Sequence, residues 1–324
     1  MQIGLDLGGT KCLGVALEVD PGQPLRILAE HRLGTPEGPE AILDTMVEVT
    51  LALLKEVEGL SSVGTGPVEI ALGAGVPGLI TREGVMRASP NLPGMYEVNI
   101  AVELEERVRA ARPEILLTGV QVDNDANCAA LAEWAYGAGR GTDNLMLVTL
   151  GTGIGGGLII GGQPYRGSHG FAGEFGHMVV DPMGISCPCG QRGCWERYGS
   201  GSGLANLGHE AGMTPLAESG GVLRSEDVVA GVLAGSALAV EVMSRYARWV
   251  ALGLANLANI LDPEMIILGG GLVSEADLFV PEVRRLFAEL LYESAHRDHP
   301  VIAVAHMDHR AGAIGAAVGV ALAG

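Results

Sequence analysis

IGLDLGGTKCLGVAL at 3–17 and MLVTLGTGIGGGLII at 146–160 align without a gap at an offset of 143 residues (146 against 3). Each reads as a strand, a glycine turn and a second strand, with Gly8 matched to Gly151 and Gly14 to Gly157. A chain that repeats this unit once per half is expected to form two similar lobes facing a cleft. Successive backbone N–H groups in a glycine turn make a concave anion site. Thr10 and Thr152 add hydroxyl donors, and Lys11, one of only two lysines in the chain, adds charge. Each turn is thus suited to one end of a nucleotide's phosphates. Asp6 lies on the strand before the first turn. A lone carboxylate in an apolar strand is costly without a partner, and a Mg²⁺ ion reached through water would be one.

GTGIGG at 151–156 also fits the dinucleotide fingerprint G-x-G-x-x-G. That fingerprint needs a helix directly after the glycines, whereas GLII followed by Gly161-Gly162 reads as a strand and a hairpin turn.

Working outward, strands are expected at 2–7, 12–19 and 25–33, with DPGQP at 20–24 as a turn. A helix follows at 38–58, where Ile42, Met46, Val49, Leu53 and Val57 step by three or four and Asp44, Glu48 and Lys55 face away. Next come strand 68–75, helix 100–111, strand 119–123 and helix 126–137. The second half reads as strand 144–150, turn GTGIGGG, strand 157–160 and an aperiodic stretch at 167–203. Helices dominate from 203 to 261. Helix 236–261 carries only Glu241, Arg245 and Arg248 as charges, so it is expected to be largely buried. Strand 264–268 leads into Gly269-Gly270-Gly271, either a nucleotide contact at a strand end or a tight helix start. Strand 301–305 and helix 311–322 follow.

The composition suits a two-domain globular protein: 324 residues, 48% hydrophobic, 18% charged and 50 glycines. A formal net charge of −18 repels phosphate backbones and anionic membranes, which argues against nucleic-acid or membrane partners. Near either end the longest uncharged apolar stretch, 311–324, falls short of a membrane span, and no signal peptide is visible. A cytoplasmic protein is the expectation.

Three of the five cysteines fall in CPCGQRGCWE, at Cys187, Cys189 and Cys194. This spacing is no disulfide framework; it points to a soft metal ion held by thiolates. Zinc takes four ligands; His177, ten residues upstream of Cys187, is the stronger candidate for the fourth and His169 the weaker. With protein ligands throughout, such a site is structural. Binding there would draw together Glu174, His177 and Glu196. VQVDNDAN at 120–127 ends a strand and opens a helix. Asp125 reads either as the helix N-cap or, with Asn124, as a group projecting at a strand end. Carboxylates, a carboxamide and an imidazole together suit a polyol.

LDLGGTK (5–11), GVPGLI (75–80), SPNLPG (89–94), DNDANCAALAEW (123–134), LGTGIGGG (150–157), GEFGH (173–177), CPCGQRGCWE (187–196) and LGGGL (268–272) together resemble the ROK family of repressors, open reading frames and sugar kinases. The likeness is strongest to its bacterial ATP-dependent glucokinases. It implies an α/β, two-lobed actin-like or ribonuclease-H-like ATPase fold with a cleft between the lobes and a zinc-binding loop. The expected division is a smaller lobe at 1–123, a larger one at 124–308 and a helix at 309–324 returning to the smaller lobe. The resemblance assigns Gly9, Thr10, Lys11, Thr152, Gly153 and Gly270 to ATP, alongside Asp6 as the residue read above toward Mg²⁺. It assigns Asn124, Asp125, Glu174, His177 and Glu196 to sugar hydroxyls, with Asp125 as the catalytic base. His177, Cys187, Cys189 and Cys194 would hold a structural Zn²⁺. Family repressors carry an added helix-turn-helix before the first glycine turn, whereas the first strand here begins at residue 2. Polyphosphate-dependent members lack the cysteine motif, so ATP is the expected donor. The implied reaction is phosphorylation of glucose at its 6-hydroxyl. N-acetylmannosamine, fructose or allose as substrate, or a non-catalytic sugar-sensing regulator, are the alternatives. A homodimer or homotetramer is expected.

Overall fold

The computed structural model describes residues 1–19, 23–59 and 69–323; part of the expected 20–24 turn lies outside them. β1 (Gln2–Leu7), β2 (Lys11–Glu18) and β3 (Arg26–Gly34) form an antiparallel meander. After α1 (Pro39–Glu58), β4 (Glu69–Val76) runs parallel to β1. β5 (Leu79–Ile80), β6 (Val85–Ala88) and β7 (Val98–Asn99) make a small antiparallel sheet before α2 (Ile100–Ala111). β8 (Leu116–Asn124) lies parallel to β4 and passes straight into α3 (Asp125–Tyr136).

β9 (Leu145–Leu150), β10 (Ile154–Ile160) and β11 (Gln163–Pro164) open the second half. A long irregular stretch leads to α4 (Glu196–Gly199), α5 (Gly201–Glu210), α6 (Ser225–Leu233) and α7 (Ala237–Leu261). β12 (Met265–Gly269), α8 (Val280–Leu290), β13 (Val301–Val304) and α9 (Ala311–Ala323) complete the order. The described chain forms two compact units. One comprises Met1–Asp143, Gly157–Gly173 and His306–Gly324, the other Asn144–Gly156 and Glu174–Ala305.

The repeat read from the sequence is a repeat of structure. The first sheet has the order β3-β2-β1-β4-β8 and the second β11-β10-β9-β12-β13. β1 begins at residue 2 and β9 at 145, β2 at 11 and β10 at 154, so the 143-residue offset holds for both strands. In each sheet the central strand is joined by a parallel partner, β4 on β1 and β12 on β9.

In the first unit α1 buries Ile42, Met46, Val49, Leu53 and Val57 and exposes Asp44, Glu48 and Lys55, as its spacing predicts. Each such buried side chain stabilises by about 1.5–3 kcal/mol. α9 is apolar throughout and lies backbone to backbone on the same sheet: a Cβ on Gly4 of β1 or Gly73 of β4 would collide with the carbonyl oxygens of Ala313 and Ala316.

Three expectations change. β10 starts at Ile154, so the glycine turn is only 151–153 and Gly155–Gly157 belong to the strand. The reason is a close approach: a Cβ at Gly157 would lie 2.7 Å from Ala126 O. The β5–β7 sheet gave no signal, because strands of two to four residues are too short to display a period. α7 is buried mainly along 246–258, while Leu238, Val240 and Ile260 are exposed. Among the described residues no helix is long and apolar enough to cross a membrane.

Candidate active site

In the first unit, strand register sets Asp6 of β1 level with Gly75 of β4, and Gly75 level with Asp123 of β8. The carboxyl ends of three neighbouring parallel strands, where α/β sheets bind ligands, therefore carry Asp6, Asp123, Asn124 and Asp125. The N-cap of α3 is Asn124, not Asp125: its Oδ1 accepts from Ala126 N at 2.9 Å and Asn127 N at 3.3 Å. Its Nδ2 donates to Gly78 O at 3.1 Å, leaving one amide hydrogen to offer. Asp125 is the first helical residue, with Oδ1 accepting from Ala126 N at 2.9 Å. Burial raises its pKa, against the pull of the backbone amides.

Burial, and then the charge of Asp125, push Asp6 up to about 6, with Lys11 opposing. The first glycine turn is closed by Gly8 N donating to Lys11 O at 2.8 Å and held by Thr35, whose hydroxyl donates to Gly8 O at 2.6 Å. Gly9 and Thr10 are exposed at its tip. A half-buried carboxylate beside a second one is an oxygen donor whose charge awaits a cation, which fits Mg²⁺. A stability signature follows. A carboxylate raised from 3.8 to about 6 on folding stabilises the folded chain fully only below 3.8, and that contribution is lost as pH rises through 6. Asp6→Asn should therefore raise stability at pH 8 by up to about 2–3 kcal/mol and leave it nearly unchanged at pH 4. Urea melts of the metal-free chain at both pH values check this; equal effects at the two would contradict it.

In the second unit the turn 151–153 is closed by Gly151 N donating to Gly153 O at 3.0 Å. The first residues of α5 hold it from behind: Gly201 N donates to Gly151 O at 2.7 Å and Ser202 Oγ to Thr152 O at 2.8 Å. Gly151 and Thr152 open onto a cavity of about 730 Å³, walled by Ala205, Leu223, Val229, Ala230, Leu233 and Leu272 with Arg224, Glu226 and Glu275 among the polar groups. Its size and mixed lining suit a small organic ligand. Gly271 lines it; Gly270, the residue singled out from sequence, instead approaches the backbone of Leu150.

The same unit brings His177, Cys187, Cys189 and Cys194 together, with one ligand atom from each lying within 4.8 Å of the others. Cys189 Sγ is 3.6 Å from Cys194 Sγ, and Cys187 Sγ is 3.9 Å from His177 Nδ1. Tetrahedral zinc separates its ligand atoms by about 3.5–3.8 Å, so the donor set fits that ion. Burial pushes the Cys187 and Cys194 thiols up, while the Gln191 amide pulls exposed Cys189 down. His169 is outside the group and lies 6.5 Å, ring to ring, from Phe171. Glu196 reaches the cluster, with Oε1 at 3.1 Å from Cys187 Sγ and 3.8 Å from His177 Nδ1. Nδ1 faces the thiols, so Nε2 is the free edge of the imidazole. Glu174 precedes the 3₁₀ turn Phe175–His177 that carries the histidine, and its carbonyl accepts from His177 N.

The stretch 178–195, aperiodic in sequence, is ordered by cross-links of its own. Val180 N donates to Gly193 O, Gly193 N to Ile185 O and Trp195 N to Met178 O, each at 2.8 Å. Trp195, fully buried beside Cys194, donates through Nε1 to Trp249 O at 2.8 Å and anchors the loop on α7.

Three polar residues escaped the sequence reading. Asp227 is buried and accepts from Arg224 N at 2.7 Å and Leu216 N at 3.2 Å, fixing the cavity's rim. Asp123 is buried and paired with Arg166. Asp123 adjoins Asn124-Asp125 and was hidden only by their prominence; isolated Arg166 and Asp227 carry no signal of spacing.

The ROK family model matches residues 2–322. Over 328 residues the chain is 35% identical to a glucokinase of Streptomyces coelicolor, covering 98% of this chain and 96% of that one. It is 33% identical over 304 residues to an N-acetyl-D-glucosamine kinase of Escherichia coli, covering 90% of each. Among solved structures, it is similar to a ROK family glucokinase of Streptomyces griseus in complex with glucose and AMPPNP. The TM-score there is 0.77 at 32% identity, over 98% of this chain and 97% of that one.

Proposed function

The chain belongs to the ROK family, and from that premise we propose that it is an ATP-dependent sugar kinase that phosphorylates glucose at its 6-hydroxyl. The observation that carries the reading is the placement of Asp6 near the carboxyl end of β1 and Asp125 just after β8, the two strands that flank β4, with the charge of Asp125 bearing on Asp6 and the turn that bears Lys11 alongside. One carboxylate is then available to a cation and the other to a hydroxyl proton.

In this reading Asp125 accepts the 6-hydroxyl proton as the oxygen attacks the γ-phosphorus of ATP in line. Its burial-raised pKa makes it a better base than an exposed aspartate. Lys11 and the amides of the two glycine turns stabilise the developing phosphoryl charge, the dominant requirement in such transfers. Mg²⁺, held through Asp6, supplies further neutralisation when bound. The adenosine lies in the cavity beside Thr152. Asn124, Glu174, His177 and Glu196 read the sugar hydroxyls, and zinc fixes the histidine's orientation.

A coupled assay with ATP and a panel of glucose, N-acetylglucosamine, N-acetylmannosamine, fructose and allose tests the reading. Glucose should give the highest kcat/KM. A preference for an acetamido sugar would move the substrate assignment, and no transfer to any hexose would leave a sugar-sensing regulator.

Gly153 provides a sharper test of the sugar assignments. Its φ lies outside the left-handed region, so alanine brings no backbone strain. A Cβ there would, however, sit 2.8 Å from Glu196 Oε2. Gly153→Ala should displace that carboxylate and raise the KM for glucose by about tenfold, the effect of one lost charged hydrogen bond. The KM for ATP should move less. Steady-state kinetics with each substrate varied measures both; a rise confined to ATP would remove Glu196 from the sugar site.

A further inference from the structure

Asp123 is 7% exposed, and both its oxygens are engaged. Oδ1 accepts from Asn124 N at 2.8 Å and from the side-chain amide of Asn127, itself buried, at 2.9 Å. Oδ2 pairs with Arg166 Nε. Arg166 also donates through Nη2 to Gln121 Oε1 at 3.2 Å, with the Gln121 amide turned to donate to Gly319 O. The arginine stands on a short strap after β11. Tyr165 N donates to Leu158 O at 2.9 Å, Ala172 N to Arg166 O at 3.1 Å, and Arg82 to Gly167 O.

One guanidinium thus holds the carboxylate that grips both the Asn124 backbone and the first turn of α3, the two neighbours of Asp125. We propose that Arg166 is a positioning residue for the proton acceptor: through Asp123 it fixes the junction of β8 and α3 on which Asp125 is mounted. This rests on the reading of Asp125 as base, but nothing in that reading requires Arg166.

The physical case is one of burial. A carboxylate as enclosed as Asp123 keeps its charge only with a cation or several donors beside it. Without Arg166 its Oδ2 loses its partner and must draw in water or turn toward another donor, and either change loosens Oδ1 from Asn124 and Asn127. A displacement of about 1 Å at a reacting group is enough to lose ~10²-fold in rate. Charge also enters. The charges of Asp125 and Lys11 bear on Asp6, and those of Asp123, Asp125, Arg166 and Asp6 all bear on the Cys128 thiol of α3, so Arg166 and Asp125 share one charged neighbourhood. Removing Arg166 leaves Lys11 as the one cation in this set.

The test is a kcat and KM comparison across pH 5–9 for Arg166→Met, Arg166→Lys and the double variant Asp123→Asn/Arg166→Met, with circular dichroism on each. Arg166→Met should lower kcat at pH 7 by ~10–100-fold and move the acid limb of kcat/KM upward by about one pH unit. The KM for ATP should change by less than about threefold, since only transition-state placement is lost. Arg166→Lys should restore the limb, and the double variant should restore it too because it removes the stranded charge. A folded Arg166→Met with kcat within threefold of the parent and an unmoved limb would overturn the inference. If Arg166→Met does not fold, the other two variants decide: a limb shifted in both, or full kcat in the double variant, would overturn it as well. Asp125→Asn separates this from the parent reading. If that variant stays active, the base assignment falls and this inference with it; if it is inactive while Arg166→Met is unchanged, this inference alone falls.

Discussion

Asp125→Asn should turn sugar over ~10²–10⁴-fold more slowly than the parent chain, the usual range for loss of a general base, while binding sugar within about tenfold. The amide keeps the shape of the side chain and one acceptor but has no basic oxygen. The fold should not suffer, because the cap of α3 is made by Asn124 and not by the substituted residue. The one bond at stake, from Ala126 N at 2.9 Å, can be remade by an amide oxygen and is shared with Asn124 Oδ1. Replacing a buried, pKa-raised carboxylate with a neutral group should, if anything, add stability at neutral pH. Single-turnover kinetics measures the chemical step and calorimetric titration the sugar affinity. Turnover within threefold of the parent would take Asp125 out of the reaction. A collapse of sugar affinity with little change in the chemical step would make it a binding group only.

Stripping the metal, or Cys194→Ser, should weaken sugar binding by ~10–100-fold, the range for losing support around a bound group. The affinity for a non-hydrolysable ATP analogue should change much less. The contrast follows from what holds each part. His177 and Glu196 both lie against the thiol cluster, at 3.9 Å and 3.1 Å from Cys187 Sγ. The turn at 151–153 is held by Gly201 and Ser202 of α5 and meets the cluster's surroundings at Glu196, whose Oε2 lies against Gly153. The disturbance should stay local. Trp195 remains docked on Trp249 O, and the bond from Trp195 N to Met178 O lies at the loop's base. Hydrogen exchange should therefore rise at 184–194 and not along α7. Elemental analysis for zinc, with calorimetric titration of metal-free and metal-loaded protein, tests this. Equal sugar affinity in both forms, or full activity in protein free of zinc, would refute it.

The two sheets were legible in the sequence because their signal was an ungapped alignment of strand, turn and strand, which survives differences in detail. The His177–cysteine cluster was legible because cysteines at close spacing have few uses in a chain of this composition. What stayed hidden has physical causes. The start of β10 was misplaced because glycines serving close backbone approach in a strand look like glycines of a turn. Asn124 and Asp125 both suit a helix cap by type, and only the hydrogen bonds tell which takes it. Arg166 meets Asp123 across 43 residues of chain, a pairing to which no periodicity corresponds.

The seating of α9 on Gly4 and Gly73 has a consequence for the order of biosynthesis. The first unit takes in Met1–Asp143 early and His306–Gly324 late, with the whole of the second unit translated in between. Until α9 emerges, the glycine faces of β1 and β4 have no backbone to lie against. The second unit, whose segments end at Ala305, can fold on the ribosome first, against the usual order in which amino-terminal domains fold before later ones. The amino-terminal sheet must wait with its apolar surface uncovered. Released chains truncated at residue 310 should accordingly be held by chaperones and cut by protease within their first 140 residues, while the segment 174–305 is resistant.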